Sequence, residues 1–215
     1  MYEIAIQILN KLEDNGYNAY IIGGYVRDKL LNIENNDIDI CTSAYPNKIK
    51  ELFNVIEDNS KFGSLKILEN NYIYEITTFR KDTYTNNRYP RIEFTNSLDE
   101  DLKRRDFTIN TICIDSDNNY IDLYNGIEDI NKKVIKMVGD PNTKLKEDPL
   151  RILRAIRFAG KLNFSLNKEL KDSIIENKEL INTLSKNKIK EEVDKMNQKS
   201  LDMLKELKVI IWKKK

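Results

Sequence analysis

Two aspartates one residue apart, Asp37 and Asp39, are the residues of this chain whose type and spacing best suit catalysis. In an extended strand alternate side chains share a face, so both carboxylates project together while Ile38 and Ile40 face the other way. Adjacent carboxylates repel each other unless a cation lies between them, and oxygen ligands of this kind suit Mg²⁺ bound to nucleotide phosphates. The alternative is an ordinary surface strand.

A glycine pair, Gly23 and Gly24, precedes the aspartates between a predicted strand, NAYIIGG, and a predicted helix, YVRDKLLN. Two glycines at such a junction allow phosphates to approach backbone N–H groups at the start of the helix. Arg27 lies one turn into that helix, where it could pair with a phosphate or brace a carboxylate.

A third set of polar side chains, Asp148, Arg151, Arg154 and Arg157, is spaced by three residues on a predicted helix. Neighbours at this spacing share a face that drifts around the helix axis. Asp148 before Pro149 also fits a helix N-cap followed by proline. The arginines could equally form a solvated stripe.

The chain contains no histidine, which excludes catalytic triads, Cys-His pairs and imidazole bases. Carboxylates, Lys, Tyr, Ser or a carboxylate-bound metal must therefore perform any catalysis. Its two cysteines, Cys41 and Cys113, form neither a disulfide framework nor a zinc motif. No apolar run approaches the roughly 20 residues of a membrane helix, and the N-terminus lacks a signal-peptide pattern. We therefore expect a cytoplasmic protein without a membrane partner.

Charge is unevenly distributed along the chain. Residues 139–215 contain 19 Lys and Arg against 12 Asp and Glu, whereas residues 1–138 contain 17 against 23. An acidic first part followed by a basic second part suits a metal site beside a surface for a polyanion, although solvated lysines and glutamates distributed by chance would give the same count.

The elements that carry these residues change character at Gly139-Asp140-Pro141. Strand and helix patterns alternate before it, beginning with a predicted helix over residues 2–14 and including an irregular loop over 80–97 that ends in the strand-like IEF. Three helical stretches follow near 147–162, 167–182 and 187–209. The pattern predicts a mixed sheet with helices, an α+β fold, and then a small helical domain.

Four segments, in order, resemble a known family. GGYVRDKLLN…NDIDI is similar to the signature of the class II CCA-adding tRNA nucleotidyltransferases and bacterial poly(A) polymerases. YEITTFRKDTY resembles the central strand of that family, DLKRRDFTINTICID its RRDFTINA segment, and EDPLRILRAIRFAGKLNF its nucleotide-selecting helix. The resemblance extends from about Tyr17 to Phe164. It weakens over 185–196, where Asn187 and Lys188 replace the Glu-Arg of an ERIxxE element.

The resemblance implies a role for each candidate residue of the first part. Asp37 and Asp39 correspond to the metal-binding pair, and Glu75 to a third carboxylate that helps to activate the primer hydroxyl. Glu75 could also be an ordinary half-buried strand residue. The implied nucleotide contacts are Gly23, Gly24, Arg27 and Arg105.

For the later helix, the family resemblance implies that Asp148 and Arg151 bind the edge of the incoming base as a protein template. Arg154 and Arg157 would support the nucleotide or its phosphates. A carboxylate has lone pairs for both a helix cap and a base, so capping by Asp148 and recognition by Asp148 are compatible.

As a whole, the resemblance implies a beta-type nucleotidyltransferase head over 1–138 and an all-helical neck over 139–215. The reaction would be attack of a tRNA 3′-hydroxyl on the α-phosphorus of CTP or ATP, with pyrophosphate released and two Mg²⁺ ions bound at Asp37 and Asp39. A poly(A) polymerase, a non-catalytic RNA- or nucleotide-binding remnant and a small-molecule nucleotidyltransferase are the alternatives.

Two departures from the family pattern bear on this expectation. The loop KDTYTNNRYPRIEFT resembles a YxDxRRP element, but Asn87 stands in place of its Asp and Tyr89 in place of its second Arg. The presence of a full-length loop favours A addition, and the replacements weaken that inference. Family members also continue into body and tail domains, which we expect to be absent here.

Overall fold

The computed structural model describes residues 1–85 and 90–209, and the chain divides into two compact units. The first unit contains Met1–Thr83, Pro90–Arg105 and Ile109–Ile127, and the second contains Tyr84, Asp106–Thr108 and the chain from Glu128 to Val209. Residues 128–138, which the sequence assigns to the end of the head, belong to the second unit. The head and neck assignments themselves stay predictions.

The helices and strands follow in chain order. The α-helices are α1 (Tyr2–Asp14), α2 (Gly24–Leu30), α3 (Pro46–Leu52), α4 (Leu98–Lys103), α5 (Gly126–Asn131), α6 (Pro141–Glu147), α7 (Leu150–Leu162), α8 (Lys168–Asn177), α9 (Lys186–Val193) and α10 (Gln198–Glu206). The strands are β1 (Ala19–Ile22), β2 (Asp39–Thr42), β3 (Val55–Asn59), β4 (Ser64–Glu69), β5 (Tyr72–Thr78), β6 (Arg80–Thr83), β7 (Arg91–Phe94), β8 (Cys113–Ile114), β9 (Tyr120–Ile121), β10 (Val134–Ile135) and β11 (Ser165–Leu166).

The first unit is built on a seven-stranded sheet with the strand order β3-β4-β5-β2-β1-β8-β9. Its strands pair antiparallel except β2 and β5, which run parallel, so the sheet is mixed as predicted. Parallel neighbours present their N-terminal ends at the same edge of a sheet. Residues at the start of β2 and in the middle of the longer β5 therefore meet side by side.

Local sequence accounts for several elements of this unit. The turn between β4 and β5 is Asn70-Asn71, and both residues have positive φ angles, the geometry that a two-residue hairpin turn requires. Helix α1 covers the predicted residues and buries Ala5, Ile8 and Leu12 at helical spacing.

The irregular loop predicted over 80–97 is wrong at its start, where β6 forms and pairs antiparallel with β7. The strand predicted at its end, IEF, is confirmed as part of β7. Residues of RKDT alternate in burial, but all four are polar, so the sequence has no apolar alternation there that would indicate a strand. Asn87, Arg88 and Tyr89, which carry the departures from the family loop, lie outside the described residues.

The second unit centres on α7, a helix buried on most of its surface. Gly160 allows α10 to pack against it, because a Cβ at this position would lie 2.1 Å from the Ser200 Oγ and 2.5 Å from the Ser200 nitrogen. Only glycine permits so close an approach. Within the described residues, every helix of the chain is too short or too polar to cross a bilayer.

The helical pattern predicted after Gly139 is wrong in three details. A helix that was not predicted, α6, precedes the first predicted stretch. Two residues after α7 form β11, which pairs parallel with β10. The predicted stretch 187–209 is two helices, α9 and α10, because Asn197 ends the first pattern and caps the second: its Oδ1 accepts a hydrogen bond from the Ser200 N–H at 2.9 Å.

Candidate active site

A cavity of about 260 Å³ opens in the first unit where β2 and β5 lie side by side. Charged residues dominate its wall, with two carboxylates facing three guanidinium groups. The lining residues are Ile22, Asp39, Ile40, Ser64, Glu75, Thr77, Arg80, Arg104 and Arg105. Such a combination suits an anionic ligand together with a cation.

The two carboxylates are brought together by the parallel register of β2 and β5, in which Asp39 lies opposite Glu75. Both line the cavity, so Glu75 shares the sheet face of Asp39. The Ser64 hydroxyl donates a hydrogen bond of 2.5 Å to Glu75 Oε1 and holds that carboxylate in place. The catalytic role of Glu75 stays a prediction.

Asp37 lies just before β2, which begins at Asp39. Ile38 and Ile40 are buried while Asp37 is exposed and Asp39 is partly exposed, so the residues alternate in burial. The Asp37 N–H donates to Asn35 Oδ1 at 2.9 Å. Burial, with the charges of Asp37 and Glu75 adding to it and that of Arg105 opposing it, raises the pKa of Asp39 to about 7.

The raised pKa shows that the ionised form of Asp39 is disfavoured chiefly by burial, and a bound cation would stabilise that form. Within residues 1–85 and 90–209, no group of three or more His, Cys, Asp or Glu side chains is arranged to hold a metal. Mg²⁺ commonly takes one or two carboxylates and completes its shell with water and substrate phosphates. The donor set around Asp39 is therefore compatible with Mg²⁺.

The glycine pair lies directly against the cavity. Gly23 has φ of +84°, and a Cβ on it would lie 3.4 Å from Asp39 Oδ2 and 4.0 Å from Arg105 Nη1. Gly24 begins α2, and its added Cβ would meet nothing closer than 3.6 Å. Gly23 thus keeps the backbone next to the carboxylate and leaves the space above it open.

We expect Gly23→Ala to lower the free energy of unfolding by about 1–3 kcal/mol, because an L residue is strained at this φ. Thermal denaturation measures the effect. Gly24→Ala is the matched control, since the same methyl group is added there in a helical conformation with room around it. Equal melting temperatures for the two variants would contradict this assignment.

Arg27 is buried and its guanidinium is used inside the protein. Its Nε donates to Asp28 Oδ1 at 2.7 Å, and its Nη1 donates to Asn110 Oδ1 at 2.8 Å. Asn35 Nδ2 donates to the other Asp28 oxygen. Of the two roles left open by the sequence, the structure contains the carboxylate brace, and the phosphate contact of Arg27 stays a prediction.

In the second unit, Asp148 caps α7, which begins at Leu150. The Asp148 Oδ1 accepts a hydrogen bond from the Leu150 N–H at 3.2 Å. Arg151 is buried: its Nη1 donates to the Lys144 carbonyl at 2.8 Å and to Glu147 Oε2 at 3.0 Å. Capping by Asp148 is thus present, and base recognition by Asp148 and Arg151 stays a prediction.

The other two arginines of α7 are ion-paired within the second unit. Arg154 Nε donates to Asp106 Oδ2 at 2.8 Å, and Arg157 Nε donates to Glu192 Oε2 at 2.7 Å. The ring of Phe158 lies 5.4 Å from the Arg154 guanidinium and 4.2 Å from that of Arg157. A solvated arginine stripe is therefore wrong, while nucleotide support by Arg154 and Arg157 stays a prediction.

Five carboxylates that pair with arginines in or near these sites were not singled out from the sequence. They are Asp28, Asp101, Asp106, Glu147 and Glu192. Asp101 precedes Arg104 and Arg105 by three and four residues, a spacing that could have indicated pairing on a helix. Asp106 and Glu192 pair with arginines 48 and 35 residues away, for which the sequence contains no local signal.

The mixed sheet, the glycine turn and the adjacent carboxylates agree with the nucleotidyltransferase head that the sequence motifs predict. Residues 19–136, more than half of the chain, match the poly A polymerase head domain, and the chain belongs to this family. The family membership and the fold class predicted from the motifs are thereby confirmed.

Individual relatives agree with this assignment. A CCA-adding enzyme of Lactobacillus helveticus is 45% identical over 195 residues, which cover 89% of this chain and 49% of the relative. The crystal structure of the Bacillus stearothermophilus CCA-adding enzyme in complex with CTP is 35% identical with a TM-score of 0.90, covering 97% of this chain and 52% of that one.

A further solved structure, a tRNA nucleotidyltransferase complexed with a primer tRNA and an incoming ATP analog, is 31% identical with a TM-score of 0.79. The match covers 95% of this chain and 60% of that one. The chain spans about half the length of the curated relatives it matches.

Proposed function

We propose that this chain transfers nucleotides from CTP and ATP to the 3′ end of tRNA and releases pyrophosphate. The observation that carries the proposal is the cavity in which Asp39 and Glu75 lie side by side, beside Gly23 and opposite Arg105. Support also comes from the relatives, which are CCA-adding enzymes, and from solved structures with CTP or with a primer tRNA and an ATP analog.

Mg²⁺ is the proposed cofactor, with Asp37 and Asp39 as its protein ligands. Bound there, it would supply Lewis-acid activation of the primer hydroxyl and neutralise charge on the phosphates. The raised pKa of Asp39 is consistent with this choice, because burial and then the charges of Asp37 and Glu75 disfavour its ionised form, which a bound cation would stabilise.

The residues of the chain would contribute binding and orientation. Gly23 keeps the backbone N–H groups of the turn accessible to phosphates, and Arg105 presents a guanidinium beside Asp39. Glu75, held by the Ser64 hydroxyl, would orient the attacking hydroxyl. Asp148 and Arg151 are proposed to read the edge of the base.

A head over 1–138 and a neck over 139–215 are part of the proposal. The excess of Lys and Arg after Gly139 supports RNA contact by the second part of the chain. The acidic first part suits a metal site better than a polyanion surface.

One assay tests the function. The purified chain is incubated with Mg²⁺ and labelled CTP or ATP on tRNA lacking CCA, tRNA ending in C, tRNA ending in CC and a generic oligoribonucleotide, and product lengths are read. We expect C to be added to the first two acceptors and a single A to the third. Long A tails on every acceptor would instead identify a poly(A) polymerase, and no product on any acceptor would overturn the proposal.

A further inference from the structure

Asp101 is a fully buried carboxylate on α4, behind the wall of the cavity. It does not line the cavity itself, and no prediction from the sequence assigns it a role. A buried charge is costly unless it is paired and hydrogen-bonded, so its presence in the core needs a reason.

The hydrogen bonds of Asp101 reach three residues of the cavity wall, two through their guanidinium groups and one through its backbone. Its Oδ1 accepts from Arg104 Nε at 2.9 Å and from the backbone N–H of Arg80 at 3.2 Å, and its Oδ2 accepts from Arg105 Nη2 at 3.1 Å. Arg80, Arg104 and Arg105 are the three arginines that line the cavity with Asp39. A single carboxylate thus contacts every cationic residue of that wall.

The two guanidinium groups would not keep this arrangement without Asp101. Burial raises the pKa of the Asp101 carboxyl, but the charges of Arg104 and Arg105 outweigh burial and hold the pKa below its usual range. Asp101 therefore stays ionised and separates two like charges that repel each other. The single negative charge of Asp101 is shared between the two guanidinium groups, one bonded to each carboxylate oxygen.

Asp101 also competes with Asp39 for Arg105. One amino group of the guanidinium, Nη2, is held by Asp101, while the other, Nη1, lies on the side of Gly23 and Asp39. Released from Asp101, Arg105 would be drawn into a direct ion pair with Asp39. Such a pair would occupy the metal ligand and remove the cation from the phosphates.

We infer that Asp101 is a positioning residue for nucleotide binding: it holds Arg104 and Arg105 at the cavity wall and keeps Arg105 from closing onto Asp39. This inference rests on the proposed function of the cavity. Asp101 is a positioning residue because it does not line the cavity and is hydrogen-bonded to the arginines that do.

The first test is Asp101→Asn, which keeps the shape and removes the charge. We expect the KM for CTP to rise about tenfold or more, while kcat falls less, because the arginines that receive the phosphates lose their orientation. Asp99→Asn is the matched control on the same helix, where an exposed carboxylate pairs with Lys103. Unchanged KM in a folded Asp101→Asn protein would overturn the inference.

A second test separates positioning from general stability. In an Arg105→Ala background, Asp101→Asn is expected to cause a smaller loss of kcat/KM than it causes in the wild type, because only the part of its effect that passes through Arg104 remains. Losses that simply multiply would contradict this. If Asp101→Asn does not fold, Asp101→Glu replaces it: it keeps the charge but moves the carboxylate by one methylene, and a KM equal to wild type would count against positioning.

A third measurement does not depend on activity, so that failure of the proposed function and failure of this inference are distinguishable. Arginine side-chain NMR of the full chain without nucleotide should show restricted guanidinium rotation for Arg105, lost in Asp101→Asn and kept in Asp99→Asn. If the wild-type chain adds no nucleotide but this difference is seen, the function fails and the positioning stands. The same spectrum in all three proteins would refute the positioning.

Discussion

Replacing Asp39 by alanine is expected to reduce the rate of nucleotide transfer by at least about 1,000-fold. Without the metal ligand, the transition state loses several kcal/mol of charge stabilisation, and each 1.4 kcal/mol corresponds to a tenfold change in rate. The expected loss for Asp37→Ala is similar. Single-turnover incorporation of CMP into tRNA lacking CCA measures it. Asp58→Ala is the control on edge strand β3, where the carboxylate pairs with Lys50 and Ser60. Near-normal transfer by either active-site variant would remove the metal assignment.

The same aspartate predicts an unusual pH dependence of stability without Mg²⁺. Its pKa is about 7 in the folded chain against 3.8 ordinarily, so the folded state binds the proton more tightly than the unfolded state. The stability that this proton contributes is present at acidic pH and is lost as the pH rises through 7. The melting temperature of Asp39→Asn minus that of the wild type should therefore increase as the pH is raised from 5 to 8. A difference in melting temperature that stays constant across that range would show that the pKa of Asp39 is not raised in the folded chain.

Replacing Asp148 by asparagine is expected to raise the use of UTP relative to CTP by about tenfold. An ionised carboxylate only accepts hydrogen bonds, and so it favours the amino group that cytosine and adenine share and uracil lacks. Asparagine can also donate, and so it tolerates the uracil carbonyl. Contact with the wrong group costs on the order of 1–3 kcal/mol of discrimination. The ratio of single-turnover rates for UTP and CTP on one primer measures the change.

The chain contains a matched control for this experiment. Asp140 precedes Pro141 as Asp148 precedes Pro149, and its Oδ2 caps α6 by accepting from the Thr143 N–H at 2.7 Å. Asp140→Asn therefore reports the loss of an aspartate cap alone. If both variants leave the UTP to CTP ratio unchanged, Asp148 is only a cap and base reading belongs to other residues. Arg151→Ala should lower incorporation of every nucleotide.

Much of the site was predictable because its geometry is local. Alternation along NDIDI places Asp39 opposite to buried isoleucines in any extended strand, and a glycine pair between a strand and a helix predicts the turn that the structure contains. The Asn70-Asn71 turn and the Asp148 cap likewise follow from backbone preferences of residues close in sequence. Motif order then identified the family.

The sequence by itself therefore determined which residues have side chains suited to catalysis or binding, and which short helices and strands contain them. The tertiary structure decided which of them meet: Glu75 joins Asp39 only because β2 and β5 pair in parallel and in this register. The arginines of α7 are likewise paired with Asp106 and Glu192, far away along the chain. Such partners depend on how whole helices and strands pack against each other, and this packing cannot be inferred from the spacing of residues along the chain.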